Sequence, residues 1–248
     1  MTLEQVLAAV AQQVSYLRGS VTADGEDWLG CGVLVSDPAV LAEVVRATRA
    51  GFATDDDAVA ASLFTQAYAF RVAGVVLAAY ALDLPVPDVA PDVTAVRLDK
   101  PRPSAVAYLS PQLHRLEADA LAIELLDDHL RRFVDAIHGA FRVGERLLWG
   151  NVASSCATAF RAVESSDADS ARVRDRAEEF FAAAHQWFDG LGGFTVLRHA
   201  DQEGWYWDRT SCCLWFRTTN GQLCDNCSLI DAAELHQRRL DELSERAS

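Results

Sequence analysis

Four of the chain's six cysteines lie within sixteen residues near the C-terminus. Cys212 and Cys213 are adjacent, and Cys224 and Cys227 form a second pair that is separated by two residues. Thiolates are soft donors, so a set of four selects zinc, a single iron or an iron–sulfur cluster and disfavours magnesium or calcium. The type and spacing of these residues therefore predict a metal site bound by four sulfur atoms.

The spacing within the two pairs helps to choose the metal. A structural zinc site normally has two Cys-x2-Cys units, and only Cys224 and Cys227 have that spacing. Neighbouring side chains of an extended backbone leave on opposite faces, so Cys212 and Cys213 would need a bend to bind one small ion. A two-iron cluster is wider and tolerates divergent sulfurs better. The pattern favours a 2Fe-2S cluster, with structural zinc as the alternative and a disulfide pair as a weaker one.

The N-terminal sequence bears on the disulfide alternative. The residues after Met1 provide no positively charged segment and no apolar segment of the kind that directs export. We therefore expect a cytoplasmic protein, in which thiols stay reduced and clustered cysteines indicate metal binding or catalysis. The isolated Cys31 and Cys156 are expected to be buried free cysteines, because a free cysteine behaves as a small hydrophobic residue.

Two stretches of the chain resemble the FhuF-like family of ferric-siderophore reductases. The segments 209–217 and 221–229, with the pattern Cys-Cys-x10-Cys-x2-Cys, are similar to its C-terminal cluster motif, and Leu-Trp-Gly-Asn-Val-Ala at 148–153 is similar to its mid-chain signature. The resemblance implies one-electron reduction of the iron in a ferric siderophore of the hydroxamate type. It also implies that a 2Fe-2S cluster is held by Cys212, Cys213, Cys224 and Cys227.

Five further residues are candidates for tuning the cluster or binding substrate. Arg209 and Arg217 bracket the first cysteine pair and could stabilise negative charge or contact siderophore oxygens, unless they are solvated surface arginines. Trp215 could stack on substrate, although shielding the cluster or filling a core is favoured. Trp149 and Asn151, in the mid-chain signature, could lie against the cluster or could serve helix packing.

The charge of the chain limits its partners. The 248 residues have a formal net charge of -14, which argues against nucleic acid, since phosphates would be repelled. The same charge disfavours a triply anionic ferric catecholate at long range relative to a neutral or cationic ferric hydroxamate. No Gly-x-Gly-x-x-Gly or Walker-type loop is present, so we expect electrons from a separate ferredoxin or reductase. The rival interpretations are an electron carrier without siderophore turnover and a zinc-stabilised binding protein.

The pattern along the chain predicts an α+β fold with a predominantly helical body. We expect residues 1–193 to form that body, with a short β element near 94–109, and residues 194–248 to form a small cluster-binding lobe. Leu3 to Val14 have helical spacing, and Asp37 and Pro38 begin a helix that ends near Gly51. Further helices are expected after the acids at 55–57 to about residue 82, and at 116–140, 144–164, 171–188 and 231–246.

One apolar stretch could be mistaken for a membrane span. The run from Val72 to Leu82 is too short to cross a bilayer and follows the polar residues Gln66 and Arg71, so it predicts a buried core helix. We expect no integral membrane segment.

Overall fold

The computed structural model describes residues 1–99, 102–166 and 169–246, and it confirms the α+β fold. Most of the described chain is helical, as the spacing of apolar residues predicts. A π-helical segment, Ile123–Arg131, joins α5 and α6 into one continuous helix. The α-helices are α1 (Leu3–Gln13), α2 (Cys31–Ser36), α3 (Pro38–Gly51), α4 (Asp57–Ala81), α5 (Ala118–Ala122), α6 (Arg132–Phe141), α7 (Glu145–Glu164), α8 (Ser170–Ala183), α9 (His185–Phe188) and α10 (Ala232–Arg246).

Helix α4 runs through the centre of the fold. It begins where the carboxylate of Asp56 accepts hydrogen bonds from the backbone N–H groups of Ala58 and Val59, so this one of the acids at 55–57 caps the helix. By length and composition α4 could cross a bilayer, but 78% of that apolar window is buried against the rest of the chain. Burial of this extent is typical of a core helix, which is what the sequence predicted for the apolar run from Val72 to Leu82.

Helix α7 packs along α4 and supplies the other half of the central layer. The apolar side chains of Leu148, Val152 and Phe160 on α7 are fully buried and belong to the main core. Asn151 and Ser155 are polar and equally buried on the same helix. Buried polar groups need hydrogen-bond partners, so these positions indicate a specific function for this part of α7.

In the described residues, the β structure forms one mixed sheet and two separate pairs of antiparallel strands. In the four-stranded sheet the order is β1-β5-β4-β2, with β5 parallel to β1 and antiparallel to β4. The β4–β5 pair confirms the predicted β element near 94–109, and Lys100 and Pro101, which come between the two strands in sequence, lie outside the described residues. The strands are β1 (Gly19–Ser20), β2 (Trp28–Gly30), β3 (Val86–Pro87), β4 (Thr94–Asp99), β5 (Arg102–Tyr108), β6 (Leu113–His114), β7 (Gly192–His199) and β8 (Gln202–Arg209).

The antiparallel strands β7 and β8 lead into the cysteine-rich region. Trp205 stacks on Phe194 with ring centroids 4.1 Å apart, and the indole N–H of Trp207 donates to Ser154 of α7 at 3.2 Å. Helix α10, which the sequence predicted, packs against both strands. Because these tryptophans share the main core with the helices, the hairpin is held firmly against α7. The division of the chain at residues 193 and 194 stays a prediction.

Candidate metal centre

Residues 210–231, which we call the cysteine segment, lie against the N-terminal half of α4. Cys213 packs on Val59 and Leu63 of that helix. The hydroxyl of Ser62 donates a hydrogen bond to the backbone carbonyl of Cys213 at 2.8 Å. Thr219 donates to the carbonyl of Ala53, just before the helix begins. The first cysteine pair is therefore held on a rigid, buried helix and not on a free loop.

Two successive turns of the backbone bring the second cysteine pair close to the first. Leu214 has a left-handed backbone conformation, with φ of 69°, and a 3-10 turn follows at Trp215–Arg217. The N–H of Gly221 donates to the carbonyl of Thr218 at 3.0 Å, which closes a turn over residues 218–221. A Cβ atom on Gly221 would lie 1.9 Å from the carbonyl oxygen of Trp215, so this position requires glycine.

The four cysteines meet as two pairs. The side chains of Cys212 and Cys227 lie close enough to influence each other's ionisation, and so do those of Cys213 and Cys224. Cys213 and Cys227 are buried, whereas Cys212 and Cys224 are half-buried, and all four are free thiols. The adjacent residues Cys212 and Cys213 thus diverge, as an extended backbone requires, and each meets one member of the second pair.

This arrangement distinguishes a single metal ion from a wider cluster. A structural zinc site places four ligands around one ion. Across residues 1–99, 102–166 and 169–246, no three His, Cys, Asp or Glu side chains converge closely enough to hold one ion. Two thiol pairs side by side provide two ligands for each iron of a 2Fe-2S cluster. The donor set fits the binuclear cluster better than it fits zinc.

The thiols have unequal acidity. The neighbouring Cys224 thiol lowers the pKa of Cys213 to about 6 against the effect of burial, with help from the N–H of Trp215 and the charge of Arg209. The nearby Cys213 thiol, together with burial, raises the pKa of Cys224 well above its usual range. Burial also raises the pKa of Cys212. Because metal ligands must be deprotonated, the lowered pKa of Cys213 favours the form of this thiol that binds a metal.

Arg209 is a buried cation beside the thiols. Only 5% of the residue is exposed, and its charge acts on both Cys213 and Cys224. Its guanidinium donates to the carbonyl of Ser211 at 2.5 Å and to Oδ1 of Asn151 at 2.8 Å, both of which are uncharged. No carboxylate pairs with it among the residues that the structure describes. A buried charge needs compensation, and an iron–sulfur cluster with four thiolates is an anion that provides it.

Asn151 links Arg209 to α4 through hydrogen bonds. Its side-chain N–H group donates to the carbonyl of Ser62 at 3.1 Å and to the Ser62 hydroxyl at 2.9 Å. Since Ser62 in turn donates to the backbone of Cys213, three side chains link β8, α7, α4 and the cysteine segment. The predicted proximity of Asn151 to the cysteines is a feature of this network, although its role at the cluster stays a prediction.

Gly150 explains another part of the mid-chain signature. A Cβ atom at this position would lie 1.9 Å from the hydroxyl oxygen of Ser211, the residue before Cys212. The Ser211 hydroxyl is itself buried without a hydrogen-bond partner among the described residues. A buried orphan hydroxyl next to the thiols is a donor that a cluster sulfur can accept from. The close contact of Gly150 and Ser211 therefore fits the predicted cofactor.

Comparisons with known families assign the chain. The model of the family described as "Ferric iron reductase FhuF-like transporter" matches residues 62–203, which is more than half of the chain. The chain belongs to the FhuF-like ferric iron reductase family. The model described as "FhuF 2Fe-2S C-terminal domain" matches residues 209–229, which include all four cysteines. The cofactor of this FhuF-like protein is accordingly a 2Fe-2S cluster. No curated protein matches the chain.

The other candidate residues occupy different surroundings in this FhuF-like chain. Trp149 is buried between the guanidinium of Arg131, 5.4 Å from its ring, and the ring of Phe188. Arg217 forms an ion pair of 2.8 Å with Asp56, the cap of α4, so its charge is already compensated near the surface. These positions are those of a packing residue and a surface ion pair, and a part for either residue at the cluster stays a prediction.

The two remaining cysteines lie apart from the cysteine segment. Cys31 and Cys156 are fully buried free thiols, as their isolation in the sequence predicted. Burial raises the pKa of each thiol. A protonated, inaccessible thiol is a poor metal ligand, so these two residues are part of the core.

A cavity of about 440 Å³ opens directly beside the cysteine pair Cys213 and Cys224. One face of α4 forms much of its wall, because residues 63, 66, 67, 70 and 71 recur at helical spacing. The exposed Trp215 lines it as well, and a contact of this residue with substrate stays a prediction. The sequence alone did not predict this cavity. The signal that could have found it is the polar pair Gln66 and Arg71, which interrupts an otherwise apolar helix.

Proposed function

We propose that this protein is a cytoplasmic ferric-siderophore reductase, which reduces siderophore-bound Fe(III) by one electron and releases Fe(II). Membership of the FhuF-like family supports ferric iron reduction in general terms. The observation that carries the finer proposal is the cavity whose wall includes Cys213 and Cys224. A pocket of roughly 300–1,000 Å³ is typical of small-molecule sites. A ferric chelate in this cavity would lie next to two cluster ligands, with only side chains between substrate and cofactor.

The chemistry of iron release suits a one-electron donor. Siderophores hold Fe(III) with hard oxygen donors, and Fe(II) is a softer, less charged acid that the same oxygens bind poorly. When bound, a 2Fe-2S cluster supplies single electrons at a potential set by its surroundings. The chain contributes the buried charge of Arg209 and the apolar packing of Cys213 on Val59 and Leu63. These features keep water from one side of the site while the cavity leaves the other side open to substrate.

We further propose that the substrates are siderophores with hydroxamate ligands. The formal net charge of -14 repels a triply anionic ferric catecholate at long range, whereas a ferric hydroxamate of low net charge approaches more readily. The four-thiol site takes its electrons from a separate one-electron donor, such as a ferredoxin or a reductase. This follows because the sequence has no nucleotide-binding loop of its own.

A single-turnover measurement tests the reductase proposal. Protein purified without oxygen is reduced, freed of excess reductant and mixed with a ferric trihydroxamate and an Fe(II)-binding dye. We expect oxidation of the cluster together with one trapped Fe(II) per reduced chain. The Cys156→Ser variant serves as the matched control, since its thiol is buried away from the site and should leave turnover unchanged. Reduced protein that ignores ferric chelates, yet passes its electron to another redox protein, would identify an electron carrier instead.

A further inference from the structure

Two arginines lie on the wall of the cavity beside the cysteines. Arg71 comes from α4 and Arg102 from the first residue of β5. No aspartate or glutamate is among the described residues that line this cavity. Its surface is therefore locally positive, in contrast to the strongly acidic chain around it.

Arg71 is held in place by neutral partners. Its guanidinium donates to the carbonyls of Tyr16, at 3.2 Å, and Pro103, at 3.4 Å, and it lies 5.4 Å from the ring centroid of Phe70. These bonds use two of the five N–H donors of a guanidinium, which leaves donors for a ligand. Within the described residues, Arg71 has no ion pair. Its positive charge is thus fixed in position and uncompensated by protein.

Arg102 faces the same cavity without a described ion pair of its own. It also borders a neighbouring cavity of about 370 Å³, whose wall includes the acids Glu26, Asp27 and Glu43. None of these acids comes within ion-pair distance of it among the residues that the structure describes. Arg102 is close enough to Arg71 to lower the pKa of that guanidinium further, after the larger effect of burial. Two neighbouring cations of this kind are stabilised when an anion binds between them.

We propose that Arg71 and Arg102 form an anion-binding site, which selects ferric siderophores that carry a carboxylate outside their iron-binding groups. The inference rests on the proposed function, and it adds the charge of the substrate to it. A planar guanidinium binds a carboxylate through two parallel hydrogen bonds. The apolar wall formed by Phe52, Phe70 and Trp215 accommodates the hydrocarbon part of the same chelate. The iron then lies toward Cys213 and Cys224, at the other part of the wall.

Local charge determines binding in this arrangement, although net charge acts at longer range. The acidic chain disfavours a chelate whose iron centre is highly anionic. A ferric trihydroxamate with a neutral iron centre and one peripheral carboxylate has only a small net charge, so the acidic chain repels it weakly. Its carboxylate lies where the two arginines can reach it. A chelate that carries a peripheral ammonium would place a cation against two others.

One chelate family isolates the effect of that peripheral charge. A linear trihydroxamate with a terminal amine can be used unchanged, acetylated or succinylated, so that the same metal centre carries an ammonium, a neutral amide or a carboxylate. The gallium(III) complexes of the three ligands are not reducible, so calorimetric titration of the cluster-containing protein measures binding without turnover. We expect the carboxylate form to bind about ten- to hundredfold more tightly than the ammonium form, with the neutral form between them.

Charge-neutral variants test the two arginines directly. Arg102→Gln removes a side chain without described hydrogen bonds, so it should fold normally and reduce the preference for the carboxylate form. Arg71→Gln and the double variant should bring the three affinities close together. The matched control is Arg97→Gln on β4, since Arg97 pairs with Asp99 at 3.2 Å and does not line the cavity. Wild-type protein that prefers the ammonium form, or Arg102→Gln that keeps the full preference, would overturn the inference.

The iron(III) complexes of the same ligands separate this inference from the proposed function. If the gallium complexes show the charge preference but none of the iron complexes is reduced, the anion site stands and the reductase proposal fails. If all three iron complexes are reduced and the gallium affinities are equal, the reductase proposal stands and the anion site is refuted.

Discussion

Arg209 donates a hydrogen bond of 2.8 Å to the side-chain oxygen of Asn151, and this bond joins the two segments of the chain that resemble the family motifs. Asn151 is fully buried, and Arg209 is 5% exposed. Asn151 continues through Ser62 to the backbone of Cys213. The segments are 58 residues apart in sequence, yet they function as one support for the cysteine pairs.

The first prediction compares the two arginines that bracket Cys212 and Cys213. Arg209→Gln removes a buried cation, so we expect the midpoint potential of the cluster to fall by ~50 mV, since a nearby positive charge favours the reduced state. Loss of its charged hydrogen bonds should also lower the free energy of unfolding by about 2–4 kcal/mol. A potentiometric titration followed by EPR measures the first effect, and chemical denaturation measures the second.

Arg217→Gln is the matched control for that substitution. Arg217 is half exposed and pairs with Asp56, so its removal should cost less than about 1 kcal/mol and leave the potential nearly unchanged. Equal shifts of potential in the two variants would refute the special role that we assign to the buried arginine.

The second prediction concerns Gly150. In Gly150→Ala the new Cβ atom would lie 1.9 Å from the Ser211 hydroxyl oxygen, so the cysteine segment must move. We expect a loss of about 1–3 kcal/mol in the free energy of unfolding and a lower iron content after purification. Gly139→Ala on α6 is the control, because a Cβ atom there meets nothing within 4 Å. Adding Ser211→Gly to Gly150→Ala should restore cluster content. Normal iron content in the single variant would contradict the account.

The third prediction tests the ligand set. Cys212→Ser, Cys213→Ser, Cys224→Ser and Cys227→Ser should each abolish or strongly weaken the visible absorption of the cluster, because serine replaces a thiolate ligand. Cys31→Ser and Cys156→Ser should leave that spectrum unchanged, since both thiols are buried in the core. A native spectrum in any of the first four variants would remove that cysteine from the ligand set.

The fourth prediction concerns the buried His129. Its Nε2 lies 2.7 Å from the hydroxyl of Tyr68 and its Nδ1 bonds the carbonyl of Val89, so it is a satisfied core histidine. Burial, with a lesser contribution from the charge of Arg132, lowers its pKa to about 4 against the opposing effect of the Val89 hydrogen bond. In the folded protein the His129 side chain stays neutral down to about pH 4, whereas in the unfolded chain it binds a proton below about pH 6.5.

The resulting contribution to stability is complete above pH 6.5 and is lost as the pH falls from 6.5 to 4. The full effect is about 3 kcal/mol for a shift of this size. Denaturation of wild type and His129→Gln across this range isolates it from the carboxylates, because the variant should lose less stability than wild type between pH 6.5 and 4. Parallel pH profiles would show that His129 does not titrate in this way.

The sequence was sufficient for those features that depend on local pattern. The capped helices after Asp37 and Asp56 each have a short-range signal, and the structure confirms them. The cysteine spacing predicted the 2Fe-2S cluster, which the family comparison supports. In each case the residues that determine the feature are close together in the chain.

Features formed by distant residues were not predictable in the same way. The strands β1 and β2 are only two and three residues long, too short for an alternating pattern, and they form because the β4–β5 hairpin offers them free edges. The cavity was missed because α4, β5, α7 and the cysteine segment each contribute part of its wall. The contrast between Arg209 and Arg217 was not predictable either, since both flank the cysteines in sequence but only Arg209 is buried.

The metal and sulfide content of oxygen-protected protein tests the central claim most directly. The account predicts two irons and two acid-labile sulfides per chain, a visible absorption spectrum and an EPR signal on reduction. Protein that contains one zinc per chain, without iron or sulfide, would contradict it.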